Sequence, residues 1–202
     1  MTSENEPLQF QMIRVDDTFA YDVRVISEKA SVGDYIRLLD RFLDETVAPC
    51  FGCENCCLQR IPLILQDLYT YAGKDPEKIA VFLKEKCEIV YGGRAVDVKL
   101  AQRPDQSCVF LDREKKCCSD HLHRGLVCHS YICIPQTERA RLLRETLINK
   151  GEDALIGALC RWGTIDAAFA EDYPSDPSWE GKDLDEILLK DVLPRSVFED
   201  LL

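Results

Sequence analysis

The chain has 202 residues, 46% of them hydrophobic and 30% charged, which is enough to bury a core without disulfide staples. Its 36 acidic residues against 25 basic ones give a formal charge of −11, an average surface that repels nucleic acid and anionic membrane. The longest apolar stretches, 61–65 and 154–159, are far short of the roughly 20 residues that cross a bilayer, and the N-terminal residues show no export signal. The expectation is a cytoplasmic protein with no nucleic-acid or membrane partner.

In chain order, 10–15 and 19–25 alternate apolar and polar residues around Asp16-Asp17-Thr18, which predicts a β-hairpin. Val32, Ile36, Leu39, Phe42, Leu43 and Val47 keep helical spacing, with Ser31 as N-cap and Pro49 as stop. Helices follow at about 66–72 and 76–87, the second opened by Asp75-Pro76, and 88–100 reads as a hairpin around Gly92-Gly93. Two further helical patterns run through about 137–150 and 152–171. A loop at 173–181 leads to an amphipathic segment from Leu184 to Leu202. The reading is α+β: a helix-rich single domain with small β-hairpins and cysteine-bearing metal-binding loops. Its parts are an N-terminal hairpin and helix (1–49), a cysteine-cluster region (50–135) and a C-terminal helical extension (136–202).

Eleven cysteines dominate the chemistry. Four lie together as Cys50, Cys53, Cys56 and Cys57. Four more follow as Cys108, Cys118, Cys128 and Cys133, with Cys117 beside them and His121, His123 and His129 between. An odd count in a reducing compartment argues against a disulfide framework and for metal or cluster binding. A C-x2-C step lets two thiolates meet one centre across a tight turn, and Cys50, Cys53 and Cys56 repeat that step as ferredoxin-like loops do. The ferredoxin pattern would place a cysteine at 60, where this chain has Arg60, so the second group is the donor that completes the first. The eight cysteines are therefore expected to converge. Cys56 and Cys57, being adjacent, serve two centres, or one of them faces the core. Two four-thiolate zinc sites and two iron–sulfur clusters both fit eight cysteines. Cys87 and Cys160 read as small buried hydrophobes in helices. His121 and His123 read as surface or capping residues, and His129, next to Cys128, is the histidine placed to contact sulfur.

The order of motifs resembles the YkgJ-type cysteine-cluster family, known as a zinc- or iron-chelating domain. Cys50, Cys53, Cys56 and Cys57 are similar to its C-x2-C-x2-C-C signature, and 61–63 with Gln66-Asp67-Leu68 to its apolar turn and following helix. The stretch 108–112 resembles its C-x-F-L segment, and Cys118, His121, Arg124, Cys128, Tyr131 and Cys133 its last motif. Gly125 stands where the family generally has Pro, and His129 where it generally has Arg. The resemblance covers about 50–135 and implies metal binding without implying a reaction.

Three functions are compatible with this pattern. The first is an iron–sulfur protein, its cluster of the [4Fe–4S] type held by cysteines of these two groups, that carries electrons or supports a partner redox enzyme or client protein. The alternatives are a zinc-stabilised interaction module and a cluster-dependent protein-modifying enzyme, since a flagellin lysine methylase family carries similar cysteine motifs.

Overall fold

The computed structural model describes residues 6–46 and 52–202. In chain order its elements are β1 (Leu8–Val15), β2 (Thr18–Val25), α1 (Val32–Thr46), α2 (Leu65–Ala72), α3 (Pro76–Lys86), β3 (Cys87–Gly92) and β4 (Ala95–Leu100). They continue with β5 (Leu111–Asp112), β6 (Cys117–Cys118), α4 (Leu126–Ser130), α5 (Glu138–Arg161), α6 (Leu189–Val192) and α7 (Arg195–Leu201). The strands pair only within three antiparallel hairpins, β1–β2, β3–β4 and β5–β6, which with the helices makes an α+β fold. No described helix is long and apolar enough to cross a membrane. Two compact units share these elements: Met1–Ala48 with His129–Lys150 and Lys182–Leu202, and Pro49–Cys128 with Gly151–Gly181.

In the first unit, β1 and β2 pair from Leu8↔Val25 to Val15↔Thr18, so Asp16-Asp17 alone makes the turn. Asp16 has φ +51°, a conformation that Asp tolerates in tight hairpin turns. Leu8, Tyr21, Val23 and Val25 are buried, and Phe10 packs with Tyr21, Tyr35 and Phe42 at ring separations of 5.8–6.4 Å. Ser31 caps α1 as expected: its hydroxyl accepts from the Asp34 N–H while the Asp34 carboxylate accepts from the Ser31 N–H, both at 3.0 Å. Pro49, the expected stop, lies outside the described residues. Asp22, 2% exposed, is paired with Arg139 and accepts from the Thr137 hydroxyl, which ties β2 to the start of α5.

The second unit carries most of the cysteines. Asp75 caps α3 by accepting from the Glu77 and Lys78 amides, with Pro76 in the first turn where no N–H is needed. The segment after Cys57 is pinned beside β4 by two bonds, Leu63 N–H to Val98 O and Leu100 N–H to Ile61 O. Cys87 does not lie in a helix. It ends α3 and opens β3, half-buried, and pairs opposite Leu100.

The C-terminal third differs from the sequence pattern in two places. Two helices were expected at 137–150 and 152–171, but α5 runs unbroken through Gly151. That glycine is a packing residue rather than a break: a Cβ there would stand 2.6 Å from the Ile64 Cγ2 and 3.3 Å from the Trp179 ring. The helix closes instead at 163, where the Gly163 N–H donates to Cys160 O and the Thr164 N–H to Leu159 O. In the rest of the expected span, to 171, the chain forms a 3₁₀ turn at Ala167–Phe169, capped by Asp166. The expected amphipathic run at 184–202 is divided into α6 and α7 by Pro194, whose ring and missing N–H stop a helix.

Candidate metal centre

Each thiol in the second unit is set by a short local device. The 3₁₀ turn Asn55–Leu58 presents Cys56 and Cys57, and the Cys57 carbonyl accepts from the Cys108 N–H at 2.7 Å, joining the two cysteine groups through the backbone. The loop around Cys108 is held by Arg103, whose guanidinium donates to the carbonyls of Val109 and Leu111. Cys118 sits on β6 opposite Leu111, in a hairpin whose turn is closed by Asp112 accepting from the Glu114 and Lys115 amides. Cys128 is carried by the single turn and a half of α4. Neither β5–β6 nor α4 was anticipated from the sequence, because two-residue strands and a five-residue helix leave no periodicity to read.

Cys56, Cys57, Cys108, Cys118 and Cys128 lie within reach of one another's charge. The Cys56 and Cys57 sulfurs are 4.0 Å apart and share one hydrogen bond, which lowers the Cys56 thiol pKa to about 6 and raises that of Cys57. That hydrogen bond is the main cause at both thiols, and the Arg124 charge further favours the Cys56 thiolate. Burial pushes the Cys108, Cys118 and Cys128 thiols up, and the neighbouring thiol charges add to it. At Cys108 the Phe110 N–H, 3.5 Å from sulfur, works the other way. Burial likewise raises Cys87, to about 12, with the charge of Asp67 adding to it. Neutral thiols this close would crowd one another's charge as thiolates. A cation placed among them relieves that repulsion, so the donor set suits a soft metal. Among the described residues no three such side chains already stand at ligating geometry around one point.

The remaining predicted ligands are placed as follows. Cys50 lies outside the described residues. Cys53 is half-buried just ahead of the 3₁₀ turn, and Cys133 is exposed and belongs to the first unit. Cys117 is half-buried on β6. Cys160, in α5, is buried as expected of a small apolar side chain. His123 pairs with Asp120 at 2.7 Å, and His121 accepts from Arg124. His129 pairs with Asp40 at 2.7 Å. Two groups around the thiols were not singled out from the sequence, the Arg124 guanidinium and the Asp67 carboxylate. Their signal was limited to their place in the motif.

The family model described as "CxxCxxCC: Putative zinc- or iron-chelating domain" matches residues 49–149. No curated protein and no solved structure matches the chain.

Proposed function

Given that the chain belongs to the CxxCxxCC family of chelating domains, we propose that it is an iron–sulfur protein with a redox or accessory role toward a partner enzyme. The observation that carries the proposal is the gathering of Cys56 and Cys57 with Cys108, Cys118 and Cys128, thiols from two separate stretches of chain with mutually interacting charges. Cys50, Cys53 and Cys133 complete the proposed donor set from the sequence pattern. Four of these thiolates would hold a [4Fe–4S] cluster, which would supply one-electron chemistry. The residues themselves supply the holding: Arg103 fixes the Cys108 loop, and Arg124 offsets negative charge near Cys56 and Cys118. The proposed setting is the cytoplasm, with a protein partner and no nucleic acid or membrane.

One observation favours a second reading, a zinc-stabilised interaction module. The 4.0 Å between the Cys56 and Cys57 sulfurs is close to the ~3.8 Å edge of a sulfur tetrahedron around zinc, so adjacent cysteines can serve one ion. Purification without oxygen separates the two. Brown protein carrying iron and acid-labile sulfide is the expected result, and colourless protein with stoichiometric zinc replaces the first reading by the second.

A further inference from the structure

Asp67 is a carboxylate 2% exposed in the second unit. Its two oxygens face two different helix starts. Oδ2 accepts from the Ile64 N–H at 3.0 Å, which caps α2, the helix that carries Asp67 itself. Oδ1 accepts from the Leu126 N–H at 3.0 Å, the first residue of α4 and two residues before Cys128. Helix N-termini favour an anion, so a buried carboxylate between two of them is well solvated by protein.

One turn along the same face of α2, burial raises the Tyr71 hydroxyl, and the Gly125 backbone lies near enough to it to work the other way. Asp67 and Tyr71, four residues apart, therefore face two consecutive residues of the loop that leads into Cys128, Asp67 through a hydrogen bond to Leu126 and Tyr71 by its nearness to Gly125. The Tyr71 ring also stacks on Phe110 at 5.3 Å, two residues past Cys108. Gly125 makes this approach possible. A Cβ there would stand 2.8 Å from the Asp67 carboxylate, so proline or any side chain at 125 would displace the carboxylate from Leu126.

We infer that the Asp67–Tyr71 face of α2 is the device that positions Cys128 in the metal centre, with Asp67 as a positioning residue and not a ligand. The inference rests on the thiols being metal donors. Bond for bond, an Asn at 67 has one acceptor oxygen for two amides and turns an NH2 toward the other. That change orphans a buried N–H and frees the start of α4 with Cys128 on it. At Tyr71, loss of the hydroxyl alone leaves the ring stacking intact and changes only what faces Gly125.

Two measurements on the full-length protein test this. In cobalt(II) and zinc(II) titrations against a competing chelator, Asp67→Asn should weaken binding about 10–100-fold, and Tyr71→Phe by less. The thiolate-to-cobalt absorption of Asp67→Asn should fall, as it does in Cys128→Ser. With Cys128 already replaced by Ser, Asp67→Asn should cost nothing further. An equal loss in both backgrounds would mean that Asp67 only supports the fold, and the inference would be abandoned. In metal-free protein, alkylation followed by mass spectrometry should show Cys128 reacting about tenfold faster in Asp67→Asn, and faster in Tyr71→Phe, with Cys160 unchanged. Unchanged labelling of Cys128, or acceleration of Cys128 and Cys160 together, overturns the inference. Wild-type protein that binds neither metal while Cys128 labelling still responds to Asp67→Asn would overturn the metal reading and keep the positioning role.

Discussion

Replacing Glu152 by Gln should stabilise the protein at pH 8 and leave it nearly unchanged at pH 5. Glu152 lies on α5 at the rim of a small cavity of about 160 Å³, lined also by Arg60, Asp97, Asp153 and Tyr173 over a floor of Leu63, Val96, Val98, Leu155 and Ile156. Burial raises its pKa from 4.5 to about 7, and the charges of Asp97 and Asp153 work in the same direction. The Arg60 charge is the main influence in the opposite direction, but it does not overcome burial: the guanidinium is committed to Asp97 at 2.6–2.8 Å and reaches Glu152 only at 3.5 Å. A carboxyl whose pKa rises on folding holds its proton more tightly in the native state. Its contribution is therefore fully present below pH 4.5 and is lost as pH climbs through 7. At about 1.4 kcal/mol per pKa unit the full effect would be about 3 kcal/mol, and the side chain's 22% exposure lowers it to about 1–2 kcal/mol. The neutral amide keeps the shape and removes the ionisation, at the cost of an ion pair worth well under 1 kcal/mol. Urea unfolding followed by circular dichroism at both pH values measures the difference. The reasoning fails if the variant is no more stable than wild type at pH 8, or if its advantage is the same at pH 5.

Gly151→Ala sets helix propensity, worth about 1 kcal/mol in favour of Ala, against overpacking on Ile64, worth about 1–3 kcal/mol. Packing should win, and a raised melting temperature would show that it does not. Asp22→Ala leaves Arg139 and Thr137 without their shared acceptor and should cost about 2–4 kcal/mol in chemical denaturation. Burial alone would raise Asp22, but its bonds to Arg139 and Thr137 outweigh it and hold the carboxyl low, so that stability is lost as pH falls through the acidic range. Cys128→Ser should lower metal content and folding together, whereas Cys160→Ser should leave metal content intact; elemental analysis of both variants, and equal loss from the second, would reassign the thiols.

What the sequence made legible follows how much chain each feature uses. The eight-residue strands of the first hairpin carry enough alternation to be read, and Ser31 and Asp75 announce their helices by side-chain chemistry that needs no tertiary context. Gly151 misled because a glycine in a helical run looks the same whether it breaks the helix or admits a neighbour, and Ile64, the neighbour in question, is 87 positions earlier in the chain. The cysteine spacing pointed to a metal, but not to the way the second group is built. Its hairpin and α4 are too short for periodicity, and they are held by single side chains, Arg103 and Asp112 among them.

Charge explains why those side chains recur around the thiols. Four thiolates on a divalent ion carry two net negative charges, which burial penalises unless nearby donors take up the excess. In the second unit the Phe110 N–H faces the Cys108 sulfur and Arg124 acts on Cys56 and Cys118, while Asp67 adds a negative charge beside Cys128. A carboxylate there works against thiolate formation at the residue it helps to place. It is tolerable because two backbone amides absorb its charge, and its retention is understandable if holding Cys128 matters more to the centre than easing its ionisation. On this argument the unit's loops are shaped first to bring sulfur together, and the arginines then offset part of the charge that this creates.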